Sequence, residues 1–265
     1  AKSWGVPVPG DPTQRIYVWF DALNIYQSGI GFGWDETTYK KWWPADIHVI
    51  GKGITRFHAV YWPAFLLSAG LKLPKAIFVH EYFTVNGQKM SKTLGNVIDP
   101  IALIEKYGVD PLRYYFLSKF SPFNDGDFSE EEFKKTYNAD LANGLGNLVA
   151  RVAKLAQGST YRLSLIAYRD INNEAYQKAL EEYRFNDALA AVWEKIKAAD
   201  KFIDENEPWK LTGDALNKVL EHAINQIIKI ATLLQPFLPD TAERILKQFA
   251  GPTITSQPPL FPRLQ

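Results

Sequence analysis

The chain has 265 residues, enough for one large domain or two ordinary ones, and 46% of them are hydrophobic while 22% are charged, as in globular proteins. The formal net charge is only +1, so any contact with nucleic acid has to come from a local patch. The absence of cysteine excludes disulfides and thiolate metal sites, and the four histidines are scattered, so we expect no structural metal and no zinc.

The sequence shows no segment that suits a membrane. Its longest apolar stretch, residues 224–238, is interrupted by polar residues and is too short to span a bilayer. No charged leader followed by an apolar run is present at the start. We therefore expect a cytoplasmic protein that has no membrane partner.

In chain order, the first 120 residues mix strand and helix patterns. The β-branched and aromatic run at 16–20 predicts a buried strand, and similar runs at 47–50 and 76–80 predict two more. A short helix is expected at 37–42, and a longer helical pattern covers residues 54–69. Strand, helix and strand in this order predict a parallel sheet that binds ligands at the carboxyl ends of its strands.

The second half of the chain has the pattern of helices. Asp99-Pro100 and Asp110-Pro111 each predict a helix start, because Asp caps free amides and Pro suits the first helical position. Ser129-Glu130-Glu131-Glu132 is a capping box, and three apolar stripes at helical spacing follow it. The stripes consist of Leu141, Leu145, Leu148 and Val152; of Phe185, Leu189, Val192, Trp193, Ile196, Ala199 and Phe202; and of Leu216, Leu220, Ala223, Ile227, Ile230 and Leu234. They predict a helix bundle.

One loop stands out between the two halves. Asn86-Gly87 predicts a tight hairpin turn, since both residues tolerate a positive φ angle, and Lys89 and Lys92 follow it. Two ammonium groups on one loop suit a polyphosphate. A bare Lys-x-x-Lys pattern is nevertheless more often a solvated loop, so the spacing alone does not assign a site.

The sequence context of this loop carries a family resemblance. Lys89-Met90-Ser91-Lys92-Thr93-Leu94-Gly95-Asn96 resembles the KMSKS loop, the second signature of class I aminoacyl-tRNA synthetases, and with its flanks it resembles that of methionyl-tRNA synthetases. Four further stretches, at 19–23, 43–52, 56–65 and 137–143, are similar to the same family in the same order. The resemblance covers residues 1–250.

The resemblance implies both a fold and an activity. The fold is α/β followed by all-α: the second half of a Rossmann-like parallel sheet at 1–120, then a helical stem and an anticodon-binding helix bundle at 121–250, and an extended tail at 251–265. The activity is that of a methionine–tRNA ligase, which forms methionyl-adenylate and transfers methionine to tRNA(Met). Methionine and ATP with Mg²⁺ would be substrates, and no bound cofactor is implied.

The family motifs also imply a methionine pocket. Its residues would be Trp19, Ala22, Leu23, Tyr26, Ile54, Phe57, His58 and Trp62. Ile54, His58 and Trp62 are spaced by four and so share a helix face. A polarizable thioether makes favourable contacts with aromatic rings. Without the family, these aromatic residues would more often be core, and His58 a hydrogen-bonded core histidine; some side chains can serve both purposes.

Two further sets of residues follow from the resemblance. Gly51, Lys89, Met90, Ser91 and Lys92 would bind ATP, with Lys92 contacting the transition state and Lys89 helping to seat the triphosphate. The anticodon CAU would be read by Asn147, Arg151, Pro208 and Trp209, which offer stacking planes and paired hydrogen bonds. Taken alone, these would be ordinary residues of an amphipathic helix and a helix start.

The sequence departs from the family pattern in three places. The first class I signature, His-x-Gly-His, is absent, which implies a carboxyl-terminal piece of a synthetase whose missing partner is the amino-terminal half. Gly53 stands where the family usually has Asp, which puts a polar contact near the nucleotide in doubt, and Thr93 replaces the usual Ser. We expect this piece to be inactive alone. It could also be a tRNA-binding module that catalyses nothing, or an interaction protein that has lost the site.

Overall fold

The computed structural model describes residues 4–159 and 173–265. It divides into two compact units, Ala1–Tyr82 and Phe83–Gln265. The division predicted near residue 120 stays a prediction. Within the described ranges, no helix is both long and apolar enough to cross a membrane, and no group of three or more His, Asp or Glu side chains could hold a metal ion.

The first unit pairs short strands and packs helices beside them. Its elements are β1 (Pro7–Val8), β2 (Asp11–Arg15), α1 (Val18–Ser28), α2 (Glu36–Trp42), β3 (His48–Gly51), α3 (Trp62–Ser68) and β4 (Ile77–His80). Strands β3 and β4 are parallel, in a register that runs from His48 opposite Ile77 to Gly51 opposite His80. The predicted parallel pair is therefore confirmed, and its carboxyl ends meet at Gly51 and His80.

The strand predicted at residues 16–20 is wrong. Helix α1 begins at Val18, and the amide of Phe20 already donates to the carbonyl of Tyr17. The apolar residues continue at helical spacing through Leu23, which is fully buried with Trp43, Trp62 and Leu66 in the core of this unit. A five-residue apolar run suits either element, and the burial of Leu23 and Gln27, four residues apart on one face, decides for helix.

The helix predicted over residues 54–69 is confirmed, although it is irregular. A short 3₁₀ turn, Lys52–Ile54, leads into a π-helical turn, Phe57–Tyr61, and then into α3. π-turns are rare and occur frequently at functional sites. This one carries Phe57 and His58.

The second unit opens with a three-stranded sheet and continues as helices. Its elements are β5 (Phe83–Val85), β6 (Gln88–Lys89), α4 (Pro100–Tyr107), α5 (Val109–Lys119), β7 (Gly126–Phe128), α6 (Glu130–Thr136), a π-helical segment (Tyr137–Gly146), α7 (Asn147–Gln157), α8 (Glu174–Glu181), α9 (Phe185–Asn206), α10 (Gly213–Leu234) and α11 (Pro239–Gln248). The predicted hairpin is confirmed, because β5 and β6 are antiparallel and both Asn86 and Gly87 have positive φ. Strand β7 pairs in parallel with the other edge of β5.

The predicted helix bundle is also confirmed. Every member of the three apolar stripes is buried in, or packs against, one continuous core. Residues 251–265 form no helix or strand, yet Ile254 and Phe261 are buried in the same core. Asn138 exchanges two hydrogen bonds with the backbone of Leu264, so this segment is attached to the bundle.

Helix starts agree with the sequence in two cases and differ in a third. Asp99 caps α4 through the amide of Ile101, and Ser129 caps α6 through the amide of Glu132. The predicted cap at Asp110 is wrong, since α5 begins at Val109 and Asp110 already lies inside the helix. Asp110 is buried, and its Oδ2 accepts from the amide of Thr241 at 2.6 Å. It therefore caps the first turn of α11, more than a hundred residues away.

Candidate functional site

Several of the residues predicted to bind methionine form an aromatic cluster in the first unit. Trp19 of α1 stacks on Phe57 with ring centroids 4.1 Å apart and planes 10° from parallel. The rings of His58 and Trp19 form a T-shaped pair with their centroids 6.0 Å apart. The structure thus brings residues of α1 and of the π-turn together, and the stacked pair offers a polarizable surface of the kind that a thioether prefers.

His58 is held at both ring nitrogens. Its Nδ1 lies 2.9 Å from the carbonyl oxygen of Ile54, which can only accept, so Nδ1 donates. With Nδ1 as the donor, Nε2 can accept from the Tyr26 hydroxyl, which lies 2.8 Å away. Burial raises the pKa of Tyr26, which keeps that hydroxyl protonated. The imidazole is 1% exposed, so its orientation is set by these two bonds.

The other residues predicted to bind methionine lie partly in the core and partly nearer the surface. Leu23 and Trp62 are each 1% exposed and belong to the core of the unit, so their packing role is explicit. Ala22 is exposed and Ile54 half-buried. The indole of Trp62 donates to Nε2 of His48 at 3.3 Å.

Sequence reasoning did not identify His48 as part of this cluster. Its ring lies 4.4 Å from that of Tyr26, and burial, which disfavours the charged form, is the main cause that lowers its pKa. The signal was its place in the 43–52 stretch at the start of β3. His48 therefore contacts Tyr26 and Trp62 as a neutral ring.

The end of β3, where the nucleotide was expected to approach Gly51, is covered by two rings. A side chain at Gly51 would meet Cε1 of Tyr82 at 3.3 Å and Cε1 of His80 at 3.6 Å. Both residues lie at the end of, or just after, β4, whose last residue pairs with Gly51. Tyr82 is 44% exposed, so its ring is a part of the surface at this strand end.

The lysine loop belongs to the second unit. Lys89 ends β6 and Lys92 follows in the next turn, and both side chains are exposed; Met90 is at the surface and Ser91 is half-buried. Asn96 closes the loop, since its Oδ1 accepts from the amide of Ser91 at 2.8 Å and its Nδ2 donates to the carbonyl of Lys89 at 3.1 Å. Sequence reasoning named Asn96 only as part of the motif and gave it no role.

The base of the hairpin is fixed by a single carboxylate. Asp127 of β7 accepts from the Thr84 hydroxyl at 2.6 Å and from the amide of Gly87 at 2.7 Å. These two bonds, the first being the stronger, lower the pKa of Asp127 and keep it ionised. The turn before the lysines is therefore held to the neighbouring strand.

The predicted anticodon residues lie in the helix bundle. Asn147 and Arg151 are four residues apart on α7, with Asn147 exposed. The guanidinium of Arg151 is held by two carboxylates of α9, Asp200 at 2.7 Å and Asp204 at 2.6 Å. Two separate anchors fix the plane of the guanidinium, and sequence reasoning did not identify either.

Arg151 shares a cavity with two other predicted residues. The cavity measures about 420 Å³ and is lined by Arg151, Lys154, Leu155, Gly158, Pro208, Trp209, Leu211 and Leu216. Trp209 is 54% exposed on the 3₁₀ turn Pro208–Lys210, which the left-handed residue Glu207 introduces. An exposed indole beside a fixed guanidinium is a stacking surface for unpaired bases.

Comparison with known families identifies the chain. Residues 1–153, more than half of it, match the family model described as tRNA synthetases class I (M). The chain belongs to the class I (M) tRNA synthetases. Residues 172–264 match the model of the anticodon-binding domain of tRNA ligase. The family and the anticodon-binding helical half predicted from the motifs are therefore confirmed.

Curated relatives of this class I synthetase chain are methionine–tRNA ligases. It is 41% identical over 262 residues to the ligase of Thermotoga maritima, with 93% of this chain and 42% of the relative covered. It is 39% identical over 301 residues to that of Bacillus subtilis, with 99% and 45% covered. The chain thus spans less than half the length of these two relatives.

A solved structure shows the same fold. The methionyl-tRNA synthetase of Mycobacterium tuberculosis, in complex with methionyl-adenylate, superposes with a TM-score of 0.84 at 35% identity. The match covers 98% of this chain and 58% of that structure.

Proposed function

We propose that this chain forms the methionine pocket, the KMSKS-type loop and the anticodon-binding bundle of a methionine–tRNA ligase. The complete enzyme would activate methionine with ATP and transfer it to tRNA(Met). The predicted need for Mg²⁺ with ATP, the absence of zinc from this chain and its cytoplasmic location belong to the same proposal.

The observation that carries this proposal is the stacked pair Trp19–Phe57 beside His58. The two rings supply polarizable faces for a thioether, and the two hydrogen bonds of His58 fix the orientation of its ring beside Trp19. Such a pocket is pre-organised, so that a ligand does not have to order these side chains. The similar synthetase of Mycobacterium tuberculosis was solved in complex with methionyl-adenylate, which supports methionine activation as the proposed reaction.

The chemistry assigned to the lysine loop is electrostatic. In the first step the methionine carboxylate attacks the α-phosphate of ATP, forming the acyl-phosphate bond and releasing pyrophosphate. This step needs positioning and neutralisation of charge on phosphoryl oxygens more than covalent help. Lys92 would stabilise the transition state, while Lys89 would help to seat the triphosphate.

The test is methionine-dependent exchange of pyrophosphate into ATP. It would be run on this chain alone and on the chain assembled with the amino-terminal half of the synthetase. We expect exchange from the assembled protein only, because the groups of the first signature lie outside this chain. A soluble assembled protein without exchange would refute the proposal, and exchange by the chain alone would refute the need for the other half.

A second candidate function is tRNA binding without catalysis. It is favoured by the cavity that joins Arg151 to Trp209, since all of its lining belongs to the second unit. We expect the chain alone to bind a tRNA that carries the CAU anticodon more tightly than one with an altered anticodon. Equal binding of the two tRNAs would refute this role.

A further inference from the structure

The turn after β3 is built around the hydroxyl of Tyr82. The amide of Gly53 donates to Tyr82 Oη at 2.8 Å. A Cβ atom at residue 53 would overlap that oxygen, whereas it would lie 3.4 Å from Cζ of the same ring, an ordinary contact. A side chain at residue 53 would therefore have to displace the Tyr82 hydroxyl from its position on the Gly53 amide, so glycine at position 53 and tyrosine at position 82 are coupled.

A carboxylate reaches the same turn from the neighbouring strand. Glu81, the residue after the end of β4, pairs with Lys52 at 2.5 Å, and its side chain is 25% exposed. The ammonium of Lys52 also lies 5.3 Å from the centre of the Tyr82 ring. Lys52 is thus held on two sides by consecutive residues of one strand end.

We propose that Glu81 and Tyr82 are positioning residues of the nucleotide site, and that Glu81 supplies the carboxylate that this chain lacks at residue 53. Glu81 holds the ammonium of Lys52, and the Tyr82 hydroxyl holds the backbone of the 52–54 turn, at the strand end where a nucleoside triphosphate binds. The location supports this role, because ligands of parallel sheets bind outside the carboxyl ends of the strands. The inference rests on the proposed ligase function.

An Asp at position 53 would displace the Tyr82 hydroxyl, because its Cβ would take the place of that oxygen. With Tyr82→Phe the collision disappears, and the new carboxylate can take over the task of Glu81. Gly53→Asp is therefore expected to be harmful alone and tolerated in the double variant.

The first experiment is a double-mutant cycle on thermal unfolding of the chain. We expect Gly53→Ala to lower the midpoint by about 3 °C or more, and Gly53→Ala with Tyr82→Phe to recover most of the loss. The recovery would show coupling, since Tyr82→Phe alone removes a hydrogen bond and stabilises nothing. If the changes in unfolding midpoint of the two single variants simply add in the double variant, the coupling of Gly53 with Tyr82 is overturned. This readout is independent of activity.

The second experiment measures pyrophosphate exchange by the assembled protein. We expect Glu81→Gln to raise the KM for ATP about fivefold, with kcat and the KM for methionine changed by less than about twofold, because a half-exposed ion pair is lost. In the Gly53→Asp, Tyr82→Phe double variant, Glu81→Gln should change the KM for ATP by less than about twofold. The control is Glu36→Gln, which removes the partner of Lys40 on α2 and should leave every parameter unchanged.

The outcomes separate the two proposals. An unchanged KM for ATP in Glu81→Gln, or the same rise in both backgrounds, would overturn the role of Glu81 while the ligase function stands. A wild-type assembled protein without exchange would refute the ligase function and with it the nucleotide role. The unfolding cycle would still decide whether Gly53 and Tyr82 are coupled.

Discussion

Removing the hydroxyl of Tyr26 should loosen the proposed methionine pocket but leave its aromatic rings in place. Tyr26→Phe deletes the donor to Nε2 of His58, and His58 is 1% exposed, so water cannot readily replace it. A buried acceptor left without a partner costs about 1–3 kcal/mol, which is the expected fall in the free energy of unfolding. The imidazole would keep only its bond to Ile54 and would have to be re-ordered by the ligand. A cost of about 1.4 kcal/mol corresponds to a tenfold higher KM for methionine.

The assay is methionine-dependent pyrophosphate exchange, combined with denaturant unfolding, and the matched control is Tyr39→Phe. The Tyr39 hydroxyl is also buried, but within the described residues it has no hydrogen-bond partner. Its removal should therefore be neutral or slightly stabilising. Equal losses of stability in the two variants, or an unchanged KM for methionine in Tyr26→Phe, would refute the reasoning.

Three further predictions concern the loop, the bundle and the pH dependence. Lys92→Ala should lower kcat of exchange by about 10²–10³-fold, which is the cost of losing one transition-state contact. The control Lys40→Ala should leave kcat unchanged, and similar losses in both variants would contradict the role of Lys92. Arg151→Lys should weaken tRNA binding about tenfold and leave exchange unchanged, because an ammonium cannot reproduce the fixed guanidinium plane. The control is Lys201→Ala on α9, which should leave tRNA binding unchanged. Burial lowers the pKa of His48 below its ordinary 6.5. As the pH falls, the unfolded chain therefore binds a proton at His48 before the folded chain does, and the free energy of unfolding should fall as pH drops from about 7 to 5. Thermal unfolding of His48→Gln should show a shallower pH slope, and an identical slope would disprove this role of His48.

Several elements were predictable because their causes are local. The hairpin at Asn86-Gly87 follows from the tolerance of both residues for positive φ, and the start of α4 follows from Asp99 and Pro100. The apolar stripes predict the bundle because helical spacing places their members on one face. In each case the structure depends on residues within one or two turns of each other.

Other features depend on distant residues and were not predictable. The run at 16–20 suits strand or helix equally, and only the burial of Leu23 against Trp62 decides for α1. Asp110 looks like the cap of its own helix, yet it bonds to Thr241, which packing brings near. The carboxylates that hold Arg151 are about fifty residues away from it along the chain.

The sequence by itself determined the family, the order of the motifs and the residue types at the proposed methionine, ATP and anticodon sites. Tertiary structure alone decided how those residues are held: His58 between Tyr26 and Ile54, and Gly53 under the hydroxyl of Tyr82. The reason is physical. A motif requires only the right residues at the right spacing, whereas a hydrogen bond between distant segments requires atoms placed to within a few tenths of an ångström. Only the packing of the whole unit sets that placement.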